Sequence, residues 1–179
     1  MKPSEQIPRY SLKDYQHWKD DWELIYGYPY AMSPSPFIKH QLVSHAFLDA
    51  FRSGLKNNSN NCNCKVLSET DWIIDEQTVV RPDVMIVCGD IKLDDHLRIP
   101  PVLIVEVSSD KTRLKDRNIK FKLYEQCGVK YYIMADPERR SIEAFQLVNN
   151  QYQETTAIDE FHLNDTCQVA FHFAEVFEE

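Results

Sequence analysis

The 179-residue sequence predicts one α/β domain over residues 1–179, built on a mixed central sheet flanked by helices. Three observations predict it. "VLIVEVS" (102–108), a helical segment from about Lys111 to Cys127, and "KYYIMAD" (130–136) follow one another with short connections. Strand, helix, strand at that spacing forms a βαβ unit, whose two strands lie parallel in one sheet. The aliphatic run 102–107 fits a central strand covered on both faces. Finally, no internal repeat or low-complexity linker divides the chain, so no domain boundary is drawn.

The other elements follow in order. "SLKDYQHWKD" has Ser11 with Asp14 three residues on, a variant of the helix-start signature. "WELIYGYPYAMSPSP" reads as a strand or hairpin running into a Pro/Ser loop. "HQLVSHAFLDAFRSGL" places Leu42, Val43, Ala46, Phe47, Ala50 and Phe51 at helical spacing, and Gly54 with the Asn-rich "KNNSNN" is expected to end that helix. "KVLSETDWIID" and "VVRPDVMIVC" read as strands. Gly128 is the expected stop of the 111–127 helix. "SIEAFQLVNNQYQETTA" reads as a hairpin around Asn149-Asn150, and "FHFAEVFEE" as a last short helix.

Bulk properties narrow the class. Hydrophobic residues at 43% and charged residues at 27% are ordinary for a soluble globular protein. No apolar run approaches the roughly 20 residues needed to span a bilayer, and "MKPSEQIPRY" lacks an apolar signal core. The expectation is a cytoplasmic protein without a membrane partner. Five Cys, an odd number, are not expected to form disulfides in that setting. Cys62 and Cys64 form a C-x-C in "NNSNNCNCK" without a second ligand pair nearby, which reads as a polar loop tip rather than a zinc site.

The net charge of −8 is distributed unevenly: all 20 Lys and Arg precede residue 141, and eight acids follow it. "DKTRLKDRNIKFK" (110–122) carries six basic residues and two acids. Such a stripe can meet a phosphate backbone, although a solvated helix face is the commoner meaning.

The chemistry centres on two acids placed in apolar runs, Asp83 and Glu106. A carboxylate removed from water is costly unless it is paired or binds a metal. Glu106 also lies near the C-terminal end of its strand, where open α/β sheets place ligands. On a wheel of 100° per residue starting at Leu114, Ile119, Leu123, Cys127 and Tyr124 span an arc of about 140° to 280°. Asp116 and Lys120 fall inside it, at about 200° and 240°, whereas Lys111, Lys115 and Lys122 fall opposite, at about 60° to 100°. Asp116, Lys120 and Tyr124 therefore form a ladder toward the sheet, from which Lys120 is expected to reach Asp83 and Glu106. The plainer alternative is a solvated Asp116–Lys120 pair.

Pro82-Asp83 followed by Glu106-Val107-Ser108 resembles the PD-(D/E)XK nuclease signature, with Ser108 where a lysine is expected. The set "WELIYGYPYAMSPSPFIKHQ", "VVRPDVMIV", "PPVLIVEVSS", "DRNIKFKLYEQCGVKYYIMADPERRSIEAF" and "FHFAEVF" resembles the Uma-two family, a domain family of unassigned function grouped with restriction endonucleases. The resemblance runs from about Leu12 to Phe177. It implies a restriction-endonuclease-like fold, with the missing lysine moved to the following helix as Lys120. It also implies Asp83, Glu106 and Lys120 as catalytic residues, with Glu23 as a further acid. The family's Asp-Gly-Glu after the first "ELI" is replaced here by Tyr26-Gly27-Tyr28. His40 matches a recurrent histidine, although a histidine at a helix start is more often a cap or a surface residue.

The implied activity is magnesium-dependent (or manganese-dependent) hydrolysis of DNA. Asp83, Glu106 and the Val107 carbonyl are the hard oxygen ligands, and His40, Asp116 and Tyr124 are accessory residues. A homodimer is expected by analogy with nucleases that cut both strands. Two rivals stand beside this reading: a catalytically silent DNA-binding or protein-interaction module, and a hydrolase of smaller phosphoesters.

Overall fold

The structure is a computed structural model, describing residues 8–32, 37–58, 62–92, 96–108, 114–155 and 160–177. A short helix α1 (Leu12–Tyr15) opens it, with Ser11 and Asp14 forming a reciprocal capping box. β1 (Trp22–Ile25) and β2 (Tyr28–Ala31) form an antiparallel hairpin. Its two turn residues, Tyr26 and Gly27, both take positive φ, as a tight two-residue hairpin turn requires. α2 (Ile38–Lys56) follows. β3 (Cys64–Ser68), β4 (Trp72–Asp75), β5 (Thr78–Val80), β6 (Val84–Cys88) and β7 (Leu103–Val107) come next. A π-helical segment, Lys115–Lys120, then runs into α3 (Phe121–Gln126). β8 (Tyr131–Asp136), β9 (Ser141–Val148), β10 (Gln151–Thr155), β11 (Glu160–His162) and β12 (Gln168–Ala170) complete the strands, and a 3₁₀ turn spans Phe173–Phe177.

The strands form a six-stranded sheet ordered β10-β9-β8-β7-β6-β3, a four-stranded sheet ordered β2-β1-β5-β4, and the pair β11-β12. β7 and β8 are parallel neighbours, as the βαβ reading requires, while the other pairs of the large sheet are antiparallel. The mixed central sheet is therefore present. β7 is buried along its whole length. Leu103, Val105 and Val107 pack with α2, β11 and β12 on one face. Ile104 packs on the other, against α3 and the four-stranded sheet. Gly128 takes φ +77° and ends α3, and Asn149-Asn150 turn the β9–β10 hairpin at φ 50° and 63°.

Four expectations need correction. "VVRPDVMIVC" is not one strand: β5 lies in the small sheet and β6 in the large one. Arg81-Pro82-Asp83 is the crossing between them, because Pro82 has no N–H to continue a ladder. "KVLSETDWIID" divides in the same way, into β3 and β4. Gly54 does not end α2, which continues to Lys56. Finally, Cys62–Cys167 and Cys64–Cys88 are disulfides, and Cys64 opens β3 rather than decorating a loop tip. The partners Cys88, on β6, and Cys167, in the turn before β12, are brought in by the tertiary fold, which spacing along the chain cannot show.

Gly54 serves close packing instead. A Cβ there would lie 2.7 Å from Val169 Cγ1, and Val169 is a stiff β-branched side chain buried on β12. Gly54→Ala is expected to lower stability by about 1–3 kcal/mol through overpacking, despite alanine's better helix propensity. Chemical denaturation should also show Gly54→Ala with Val169→Ala less damaging than the sum of the single changes. Additive losses would contradict the contact.

Candidate active site

The site lies where the two larger sheets face each other. β1 alternates: Leu24 packs with α1, while Ile25 turns toward the large sheet. Glu23 shares Ile25's face by strand alternation and is fully buried. On the large sheet, β6 and β7 pair Val84 with Val105. One step further along that ladder, Asp83 stands opposite Glu106. The backbone N–H of Val107 donates to Asp83 Oδ2 at 2.7 Å. Glu23, Glu106, Asp116 and Lys120 are all at most 3% exposed.

Lys120 joins them. Its Nζ lies 2.7 Å from Glu23 Oε1, 2.8 Å from Glu106 Oε1 and 4.0 Å from Asp116 Oδ1. The solvated Asp116–Lys120 pair is thus not the arrangement found. Asp83 is not among the ion-pair partners of Lys120 in the described residues. It faces His40 instead, with Nε2 3.4 Å from Oδ1. His40 is neither a cap nor a surface residue: α2 has no side-chain cap, and the imidazole is mostly buried. Its Nδ1 is buried without a hydrogen-bond partner.

Tyr124 donates its hydroxyl to Glu106 Oε1 at 2.7 Å. Ser108, at the position expected to carry lysine, donates to Asp116 Oδ2 at 3.0 Å. Tyr132 donates to the Asp116 carbonyl at 3.1 Å. The Arg81 backbone N–H donates to Glu23 Oε1 at 3.0 Å, while its guanidinium is held by Asp71 and Asp21.

Lys115 corrects the helical wheel. It was expected on the solvent side, yet its Nζ lies 2.7 Å from Glu23 Oε2. The cause is the π-helical segment Lys115–Lys120. Its i→i+5 bonding puts more residues into each turn than an α-helix does. Phases carried across it at 100° per residue therefore fail, and both Lys115 and Lys120 point at Glu23. The basic stripe also changes meaning. Arg117 pairs with Glu143 and Lys122 with Glu125, so each of its described cations already faces a carboxylate. Lys111 and Arg113 lie outside the described residues.

The electrostatics follow from burial and counting. Glu23, Asp83, Glu106 and Asp116 face Lys115, Lys120 and His40. Burial works against the Glu23 carboxylate, but Lys120 and Lys115 outweigh it and hold its pKa low. Burial likewise opposes the Lys120 ammonium, yet Glu106, Glu23 and Asp116 raise its pKa well above that of an ordinary lysine. Burial would lower His40, but the hydrogen bond and charge of Asp83 raise it. Burial raises Asp116 despite Lys120 and Lys115, and Glu106 moves in the same direction. Burial, reinforced by Asp116, Asp83 and Glu23, pushes it up to about 8 despite Lys120.

Comparison with known proteins agrees with this architecture. Residues 10–173 match the Uma2 family, described as "Putative restriction endonuclease". A crystal structure described as a putative nuclease belonging to DUF820, from Anabaena variabilis, superposes with a TM-score of 0.71 at 12% identity. The superposition covers 93% of this chain and 97% of that one. No curated protein matches the sequence.

The Glu106 proton has a measurable consequence. The folded chain retains it between pH 4.5 and about 8, whereas the unfolded chain releases it. Stability due to this group therefore falls as pH rises across that window and levels off above it. In chelator, the melting temperature of the wild type relative to Glu106→Gln is expected to fall from pH 5 to about 8. A pH-independent difference would refute the buried proton.

Proposed function

The chain belongs to the Uma2 family, and from that premise we propose that it is a metal-dependent endonuclease hydrolysing DNA phosphodiester bonds. The observation that carries the reading is the opposition of Asp83 and Glu106 at one end of β6 and β7, with the Lys120 ammonium 2.8 Å from Glu106. The donor set fits a hard divalent cation such as magnesium or manganese. Asp83, Glu106 and the Val107 carbonyl are its proposed oxygen ligands, and the gathering of Asp83, Asp116 and Glu23 around Glu106 is a setting that favours an added cation. Bound there, the ion would polarise the scissile phosphate and acidify a water.

The chain's own residues have separate tasks in this proposal. Lys120, held as an ammonium among Glu106, Glu23 and Asp116, neutralises charge developing on the phosphate rather than abstracting a proton. Glu23 aims Lys120 and Lys115. Tyr124 fixes the Glu106 carboxylate through its hydroxyl, and Ser108 and Tyr132 fix Asp116. His40 orients Asp83 from the opposite side of the sheet. Cutting both strands of a duplex would use two copies of the chain.

A second reading is a DNA-binding module without catalysis. It is favoured by the engagement of Lys120 with Glu23 and Glu106, whereas the neutralised basic stripe weighs against tight binding to a phosphate backbone. Incubation with supercoiled, linear and branched DNA, with and without magnesium or manganese, separates the two. Wild-type chain is expected to cut only with the ion. Asp83→Asn, at a partly exposed position that should still fold, is expected to cut about 100-fold more slowly or worse. Lys122→Ala, 65% exposed, is expected to stay within about two-fold, as surface ion pairs contribute little. Binding without cleavage under every ion tried would favour the silent module.

A further inference from the structure

Four of the five cysteines converge on one corner, at the opposite end of β6 from Asp83. Cys62 and Cys64 come from the approach to β3, Cys88 from the end of β6, and Cys167 from the turn between β11 and β12. Cys64 and Cys88 are register partners across β3 and β6. The sulfurs of Cys62, Cys64 and Cys167 lie within 4.8 Å of one another, and Cys88 is bonded to Cys64. The structure shows them oxidised, as two adjacent disulfides.

We propose that the reduced form of this corner is a four-thiolate zinc site made by Cys62, Cys64, Cys88 and Cys167. A tetrahedral zinc with bonds of about 2.3 Å to sulfur separates its ligands by about 3.8 Å. Once Cys62–Cys167 and Cys64–Cys88 are reduced, the bonded pairs part and the Cys88 sulfur closes on the other three to reach that spacing. Polar groups face the sulfurs as they do around metal thiolates: Asn164 Nδ2 donates to Cys64 Sγ at 3.6 Å, and Thr166 Oγ1 lies 3.9 Å from Cys167 Sγ. The backbone N–H groups of Leu163 and Asn164 donate to the Cys167 carbonyl and fix that turn. Soft thiolates select zinc here, whereas the carboxylates of the other site suit a hard ion.

The reaction balances simply. Four thiols bind one zinc ion and release four protons. Reaching the thiols from the two disulfides takes four electrons and four protons, supplied by two equivalents of a dithiol reductant. The bound ion would tie the β11–β12 pair to β3, the edge strand of the large sheet.

The test uses the full chain, reduced with excess dithiol, loaded with zinc, then freed of reductant and unbound metal under anaerobic conditions. Elemental analysis is expected to find one zinc per chain, and cobalt loading is expected to give the intense near-ultraviolet thiolate-to-metal absorption of a tetrahedral four-sulfur site. Cys64→Ser and Cys88→Ser should each weaken zinc binding by more than about 100-fold, beyond the usual cost of losing an outer-shell partner. Cys127→Ser should retain the ion. A reduced wild-type chain that keeps no zinc and gives no such cobalt spectrum overturns the proposal, as does equal zinc retention in Cys64→Ser. None of these readouts depends on nuclease activity.

Discussion

One buried ammonium organises this molecule. Lys120 reaches Glu23 on the small sheet and Glu106 on the large one. Both acids are almost completely removed from water. Neither acid is tolerable there without a hydrogen-bonded partner, and the lysine is not tolerable without them. The lysine thus couples the facing surfaces of two sheets that otherwise meet through apolar contacts of Ile25, Val80, Met85 and Ile104. Lys115 adds a second tie to the same Glu23.

The helix geometry follows from that demand. Lys115 and Lys120 are five residues apart, and both must address one carboxylate. In an α-helix, residues five apart diverge by about 140°. The π-helical segment removes most of that divergence, which gives its position a physical reason. Tyr124 then lies on the regular α-helix, with its ring near Trp72 and Tyr132 and its hydroxyl on Glu106. Apolar packing and polar aim are satisfied by the same residue.

Much of this was legible in the sequence. The βαβ unit followed from aliphatic runs of strand length around a helical segment. Glu106 was conspicuous as an acid in an apolar run, and Asp116, Lys120 and Tyr124 shared an arc because their mutual spacing of four survives a modest change of pitch. Lys115 was illegible for the complementary reason: an α-helical wheel cannot register a π-helical turn. Asp83 was visible, but its place was not, since Pro82 marks a crossing between sheets rather than a point within a strand. Ser108 and Tyr132 carry no signal of their own. They matter because the fold brings them to Asp116. The cysteine corner was hidden because its members sit on strands and turns that only the tertiary fold brings together.

The central claim is that Lys120 is fixed by the two acids and they by it. A double-mutant cycle of unfolding free energies tests this most directly, using Lys120→Met, the double change Glu23→Gln with Glu106→Gln, and the triple variant. Lys120→Met alone should cost about 3–5 kcal/mol by stranding buried acids. The triple variant should recover a large part of that loss, because no carboxylate is left uncompensated at either position. Additive costs, or a Lys120→Met chain as stable as the wild type, would contradict the account.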